Sequence, residues 1–211
     1  MSTMDLSCRD FTEALASASP TPGGGGAAAL AGALGTALGA MVGNLTTGKK
    51  KYAPVQEDIE RMLSEARRLQ AVLLDLVDKD AEAFRPLAEA YRLPSGTEEE
   101  QVHKEAVMEE ALTAACRPPL AIMHGVVEAL SLQEEMCEKG SVMALSDVGA
   151  GAALLQGALK AASLNIYINA GSMKNRERAQ ALLFETEDLL CGGESLAQKI
   201  FDEVRSRLLH E

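Results

Sequence analysis

The strongest constraint on the fold is a stripe of apolar side chains between residues 55 and 91. Val55, Ile59, Met62, Ala66, Leu69, Leu73, Leu76, Phe84, Leu87 and Tyr91 recur at steps of three and four, with a single gap between Leu76 and Phe84. A strand needs a period of two, and only a helix gathers these positions onto one face. Such a helix buries its stripe against other helices, and helical periodicity recurs along nearly the whole chain. Only 3% of residues are aromatic, Trp is missing, and Ala, Leu, Gly and Met dominate. Small and straight side chains favour close helix packing over a sheet. The expected fold is all-α, a multi-helix bundle of long antiparallel helices forming one domain over residues 1–211.

The gap in the stripe falls at position 80. The spacing Leu73, Leu76, then 80, Phe84 and Leu87 puts Asp80 on the apolar face, whereas Asp75 and Asp78 fall beside Lys79, Glu82 and Arg85 on the polar one. An apolar setting penalises the charged carboxylate and raises its pKa, which suits a group that holds or takes a proton near neutrality. A buried aspartate satisfied by a partner across the bundle fits the same pattern equally well.

The remaining elements follow from local signals. A short helix is expected over 10–17, then a turn at Ser19-Pro-Thr-Pro-Gly-Gly-Gly-Gly26. A second helix covers about 27–47 and ends at Gly48. The stretch from Ala14 to Lys49 carries no charge before the lysine. Its Ala, Gly, Ser and Thr content makes a buried helix the expectation, not a membrane span. Pro86 is expected to kink the third helix, and Thr97 with Glu100 reads as a capping box opening the fourth. Pro118-Pro119 should break or bend that helix before it resumes to about Glu138. A fifth helix over about 147–170 and a sixth over about 176–209 complete the chain.

A net charge of −11 excludes a nucleic-acid binder, which needs a basic surface. Cys8, Cys116, Cys137 and Cys191 lie far apart, and the histidines are His103, His124 and His210. Neither set has the close spacing of a zinc site, so no metal is expected. The thiols read as reduced and mostly buried. With Asp5, Arg9, Asp10 and Glu13 where a secretory signal would be basic and then apolar, a cytoplasmic protein is expected.

Four further features carry polar or backbone groups suited to a ligand. Gly23, Gly24, Gly25 and Gly26 enter a helix N-terminus, where free N–H groups favour anions. Gly35, Gly39 and Gly43 lie four apart and open a flat groove, read first as close helix packing, including at a dimer interface, and secondly as room for a planar ring. Lys49, Lys50 and Lys51 form the one dense basic cluster, which either neutralises a helix C-terminus or docks carboxylates. Asp147, by default an N-cap after Ser146, shares a helix face with Asn165 and Asn169. Roughly 27 Å of helix separates Asp147 from Asn165, so they serve two ends of a long ligand or sites completed by different subunits.

Several blocks resemble the cyclodeaminase/cyclohydrolase family of tetrahydrofolate enzymes. They are Pro20-Thr-Pro-Gly-Gly-Gly-Gly26, Met41-Val-Gly-Asn-Leu-Thr-Thr-Gly48, Lys49-Lys-Lys-Tyr52, Leu76-Val-Asp-Lys-Asp-Ala-Glu-Ala-Phe84, Tyr91-Arg-Leu-Pro94, Ser146-Asp147 and Asn165-Ile-Tyr-Ile-Asn169. They occur in family order from about Phe11 to Arg207. The resemblance implies an all-α homodimer binding folate near the dimer interface. It implies either cyclisation of 5-formiminotetrahydrofolate to 5,10-methenyltetrahydrofolate with loss of ammonia, or hydrolysis of the methenyl compound to 10-formyltetrahydrofolate. A folate-binding dimer without catalysis is a third reading.

The family's catalytic aspartate lies in a block that here offers Asp78 and Asp80, and the helical stripe selects Asp80. Gly23 to Gly26 would then approach the folate through backbone, and Asp147 would hold the pterin edge. Lys49, Lys50 and Lys51 would attract the glutamate tail, with or without polyglutamylation. No cofactor beyond the folate substrate is implied. The chain has no room for a fused formiminotransferase domain and so resembles the stand-alone form. It differs from many relatives in having Gly140-Ser141 for Gly-Asn, and Lys174 where a carboxylate often follows the asparagine pair.

Overall fold

A computed structural model of the chain describes residues 2–210. Six α-helices account for most of it, and no strand occurs among the described residues. They are α1 (Cys8–Leu15), α2 (Gly24–Thr46), α3 (Gln56–Tyr91), α4 (Glu98–Lys139), α5 (Leu145–Ser172) and α6 (Arg176–His210). Short connections make α2 to α6 alternate in direction. Helices α2 and α5 pack side by side as one layer, across a second layer of α3, α4 and α6 in which α4 is central.

The apolar stripe of α3 behaves as its period requires along most of its length. Ile59, Met62, Ala66, Leu69, Leu73 and Leu76 are all buried, each large side chain contributing roughly 1.5–3 kcal/mol on leaving water. Beyond Leu76 the stripe is only partly in the core: Leu87 is buried, whereas Phe84 is partly covered and Tyr91 is exposed.

The glycines of α2 are packed inside the subunit. A Cβ at Gly35 would meet the Leu155 side chain at 2.7 Å and the Gly151 carbonyl at 2.9 Å; one at Gly43 would meet Met136 at 2.7 Å. Gly39 likewise faces Gln133 at 3.0 Å. These three positions therefore let α2 approach α3, α4 and α5, and leave neither a dimer contact nor a slot for a planar ring. Gly48 adopts φ +75°, the left-handed conformation that ends α2.

Three local expectations need correction. Helix α2 begins at Gly24, not Ala27, so Gly24, Gly25 and Gly26 form its first turn and Gly23 its N-cap. Helix α4 runs unbroken through Pro118 and Pro119, both buried, because packing on four neighbouring helices outweighs two missing hydrogen bonds. Helix α3 runs through Pro86 to Tyr91, the extent its periodicity requires. The N-cap of α5 is Ala144, placing Asp147 inside the first turn and not at the cap. The Thr97–Glu100 capping box is present, with Thr97 accepting from the Glu100 N–H at 3.2 Å.

Two helices, α2 and the segment Val142–Ser172, are long and apolar enough to cross a membrane by length and composition alone. Here they form one of the two layers of the bundle, over half buried in one case and half in the other. Their outer face stays apolar: Leu34, Met41 and Leu45 on α2, with Leu154, Leu164 and Ile168 on α5, are all exposed.

Candidate active site

The cleft forms where the N-terminus of α2 meets the second half of α3. Asp80 reaches that N-terminus because Gly25 has no side chain, since a Cβ there would lie 2.1 Å from Asp80 Oδ1. Burial pushes the Asp80 carboxyl above the ordinary range, and the Gly26 N–H offsets part of that rise. A helix N-terminus favours the anion while the apolar surroundings penalise it, so the two protonation states are brought closer in energy.

Asp80 opens onto a cleft of about 270 Å³ whose other walls include Gly23, Gly24, Phe84, Leu87, Asn165 and Asn169. Exposed Tyr91 and Ile168 stand at its rim. Asn165 donates through Nδ2 to the Ala161 carbonyl at 2.9 Å, and Asn169 to the Ala115 carbonyl at 3.4 Å. Among the described residues, no group of three or more His, Cys, Asp or Glu is arranged to hold a metal ion.

Asp78, two residues away, has a different environment. It accepts from Ser2 Oγ at 2.5 Å and the Thr3 N–H at 2.8 Å. Burial alone would raise its pKa, but the hydrogen bonds from Ser2 and Thr3 prevail and hold it low. Asp78 thus ties down the N-terminal segment, while Asp80 faces the cleft.

The other candidates lie at the opposite end of the bundle. Lys49, Lys50 and Lys51 follow the C-terminus of α2, about 33 Å along that helix from Gly24. Lys51 stands over the Tyr52 ring at 5.5 Å, and the Tyr52 hydroxyl accepts from the Val142 N–H at 3.2 Å. That contact joins the lysine segment to the start of α5, where Asp147 sits. Within one subunit the sequence candidates therefore form two groups: Gly23–Gly26, Asp80, Asn165 and Asn169 at one end, Lys49–Lys51 and Asp147 at the other.

Several wall residues went unremarked as site residues in the sequence, among them Phe84, Leu87, Ala115 and Ile168. Phe84 and Leu87 carried a signal, since they continue the stripe past Asp80. The four thiols are free, Cys116 and Cys137 buried and Cys8 and Cys191 exposed, with burial pushing Cys116 up to about 11.

An all-helical subunit with one carboxylate in a glycine-walled cleft defines the class. Residues 7–188 match the model of the formiminotransferase-cyclodeaminase family, and the chain belongs to that family. It is 40% identical over 198 residues to a methenyltetrahydrofolate cyclohydrolase of Methylorubrum extorquens, covering 94% of this chain and 95% of that one. It is 32% identical over 193 residues to the mouse formimidoyltransferase-cyclodeaminase, which matches 88% of this chain but only 36% of the mouse protein. The crystal structure of a formiminotetrahydrofolate cyclodeaminase from Thermotoga maritima superposes with a TM-score of 0.87 at 27% identity, covering 97% of this chain and 98% of that one.

Proposed function

We propose that this protein is a cytoplasmic tetrahydrofolate one-carbon enzyme that hydrolyses 5,10-methenyltetrahydrofolate to 10-formyltetrahydrofolate, with Asp80 as its acid–base group. The observation that carries the chemistry is a single cleft carboxylate with a raised pKa on a helix N-terminus. The choice of hydrolysis rests on the full-length relative named as a cyclohydrolase. Cyclodeamination of 5-formiminotetrahydrofolate is the second reading, favoured by the name of the Thermotoga structure. Four free thiols accord with a reducing compartment.

In hydrolysis, Asp80 takes one proton from water as the water oxygen bonds to the bridging carbon of the methenyl cation. The carbon–N5 bond then breaks as the carbonyl forms, the carboxyl returns that proton to N5, and the hydroxyl proton is released to solvent. In cyclodeamination, N10 of the protonated formimino substrate bonds to the formimino carbon, the N10 proton passes to the Asp80 carboxylate, and the carboxyl gives it to the amino group, whose bond to carbon breaks to release ammonia. The folate is the substrate and no further cofactor is required.

The active unit in this reading is a homodimer. A cleft of about 270 Å³ is small for an elongated folate, which suits walls completed by a second subunit. The exposed apolar face of α2 and α5 suits a second copy, because α2 carries no charge and α5 only Asp147 and Lys160. A two-fold axis across the middle of α2 sets the helix antiparallel to its mate. The lysine end of one copy then meets the Asp80 end of the other. Gly23 to Gly26 would line the folate with backbone, Asn165 and Asn169 would contact it, and Asp147 would hold the pterin edge. Lys49, Lys50 and Lys51 would attract its glutamate or polyglutamate tail.

Purified protein is assayed separately with methenyl- and formiminotetrahydrofolate, following the ultraviolet band of the methenyl product or substrate. Loss of the band from the first supports hydrolysis, and its growth from the second supports cyclodeamination. Silence with both, alongside a melting temperature raised by folate, indicates binding without catalysis.

A further inference from the structure

Proline at positions 118 and 119 leaves two carbonyls of α4 without their usual partners. A helical carbonyl accepts from the N–H four residues on, and proline has none, so Ala114 and Ala115 are orphaned. Ala115 lines the cleft, and its carbonyl accepts from Asn169 Nδ2 on α5. A carbonyl at an open cleft is readily satisfied by water, so the fold does not require an asparagine there.

The consequence lies at the other end of the amide. A carboxamide has a donor end and an acceptor end, and the acceptor Ala115 carbonyl repels the oxygen while taking the NH₂. Asn165, one turn earlier, is turned in the same sense by the Ala161 carbonyl at 2.9 Å, and its amide lies against Gly24. With Asp80, the cleft thus presents oxygen acceptors, a wall suited to a ligand bearing N–H groups.

We propose that Pro119 is a positioning residue: by leaving the Ala115 carbonyl without a helical donor, it holds the Asn169 carboxamide with Oδ1 available to a ring N–H of the bound folate. This rests on the folate reading above for the ligand, but not for the Pro119–Asn169 coupling.

Pro119→Ala returns an N–H to the Ala115 carbonyl and frees the Asn169 amide to turn. Dissociation of 5-formyltetrahydrofolate, used as a stable probe, should rise roughly three- to tenfold, the worth of one hydrogen bond. KM should rise with it and kcat stay within about twofold, while the melting temperature holds or increases as the helix regains a bond. Asn169→Ala should weaken binding equally, and the double variant no more than N169A alone. Wild-type affinity in P119A, or effects that multiply in the double variant, would overturn the proposal.

A second cycle needs no ligand. N169A should lower the melting temperature more in the wild-type background than in the P119A background, and equal losses would overturn the coupling. Pro119→Gly, which also returns an N–H to the Ala115 carbonyl, covers the case of a P119A chain that fails to fold, and wild-type affinity in a folded P119G protein counts against the proposal. Should the wild type bind no 5-formyltetrahydrofolate, the folate reading fails, and the thermal cycle still decides whether Pro119 fixes Asn169.

Discussion

The two ends of the bundle differ in how their polar groups are held. At the Asp80 end, a carboxylate and two amides are fixed by a helix N-terminus and by backbone carbonyls, with apolar side chains around them. At the lysine end, Lys49, Lys50 and Lys51 are exposed on a short turn. Chemistry needs groups held in one geometry, whereas capture of a flexible anionic tail needs only charge within reach. The difference matches a division between a reacting centre and a docking patch.

Removing the proton carrier should have the largest effect. Asp80→Asn is expected to lower turnover by about 10²–10⁴-fold while leaving the fold and folate binding near normal. Since the native pKa of Asp80 is raised, the folded state binds more protons than the unfolded chain above the ordinary carboxylate pKa. Stability is therefore lost as pH rises from the unfolded to the native value, and D80N should lack that component. Melting curves across the acid range read this directly, and undiminished turnover in D80N would remove Asp80 from the mechanism.

Gly25→Ala tests the geometry of the same end without touching a polar group. Alanine is the better helix former by about 1 kcal/mol, but its Cβ would overlap the Asp80 carboxylate. The carboxylate must swing off the helix terminus, and a displacement of that kind costs on the order of 10² in turnover. A correctly folded G25A protein with wild-type kcat would show that the Gly25 contact only serves packing.

The relation between the ends is tested by mixing. Combining D80N with a K49Q/K50Q/K51Q variant gives, in half of the dimers formed at random, one site with both defects and one with neither. Measured with polyglutamylated substrate far below KM, where the lysine variant is impaired, about a quarter of the sites should regain wild-type activity if each site takes Asp80 from one copy and the lysines from the other. If the groups instead act within one subunit, the mixture shows only the residual activity of the lysine variant's own sites. The lysine variant alone should raise KM several-fold for a polyglutamylated substrate, an effect that fades with added salt.

Much of the fold was legible because its dominant signal is periodic. The stripe of α3 placed seven buried positions and singled out Asp80, since a polar residue at an apolar step is visible without a structure. The start of α2 was not legible: three glycines read locally as a turn, and their helical conformation follows from the close approach of Asp80, a tertiary contact. Pro118 and Pro119 are unbroken helix for a related reason, since propensity registers the lost bonds but not the neighbours that keep the helix continuous. The link from Pro119 to Asn169 spans two helices, and only the three-dimensional arrangement joins them.

The smallest effect belongs to Asp78, which controls for the others. It sits on the same helix two residues from Asp80, yet its carboxylate is spent on Ser2 and Thr3. Asp78→Asn should cost about 1 kcal/mol by weakening charge-assisted bonds, with kcat and KM unchanged. Its depressed pKa gives the opposite pH behaviour: the contribution is present above the ordinary carboxylate pKa and is lost as pH falls through the native value. Two carboxylates in one short block would then shift stability with pH in opposite directions, and only Asp80 would also control turnover. If D78N instead abolished turnover in a stable protein, the choice of Asp80 over its neighbour would fall, because position on the stripe would no longer separate the reacting group from the structural one.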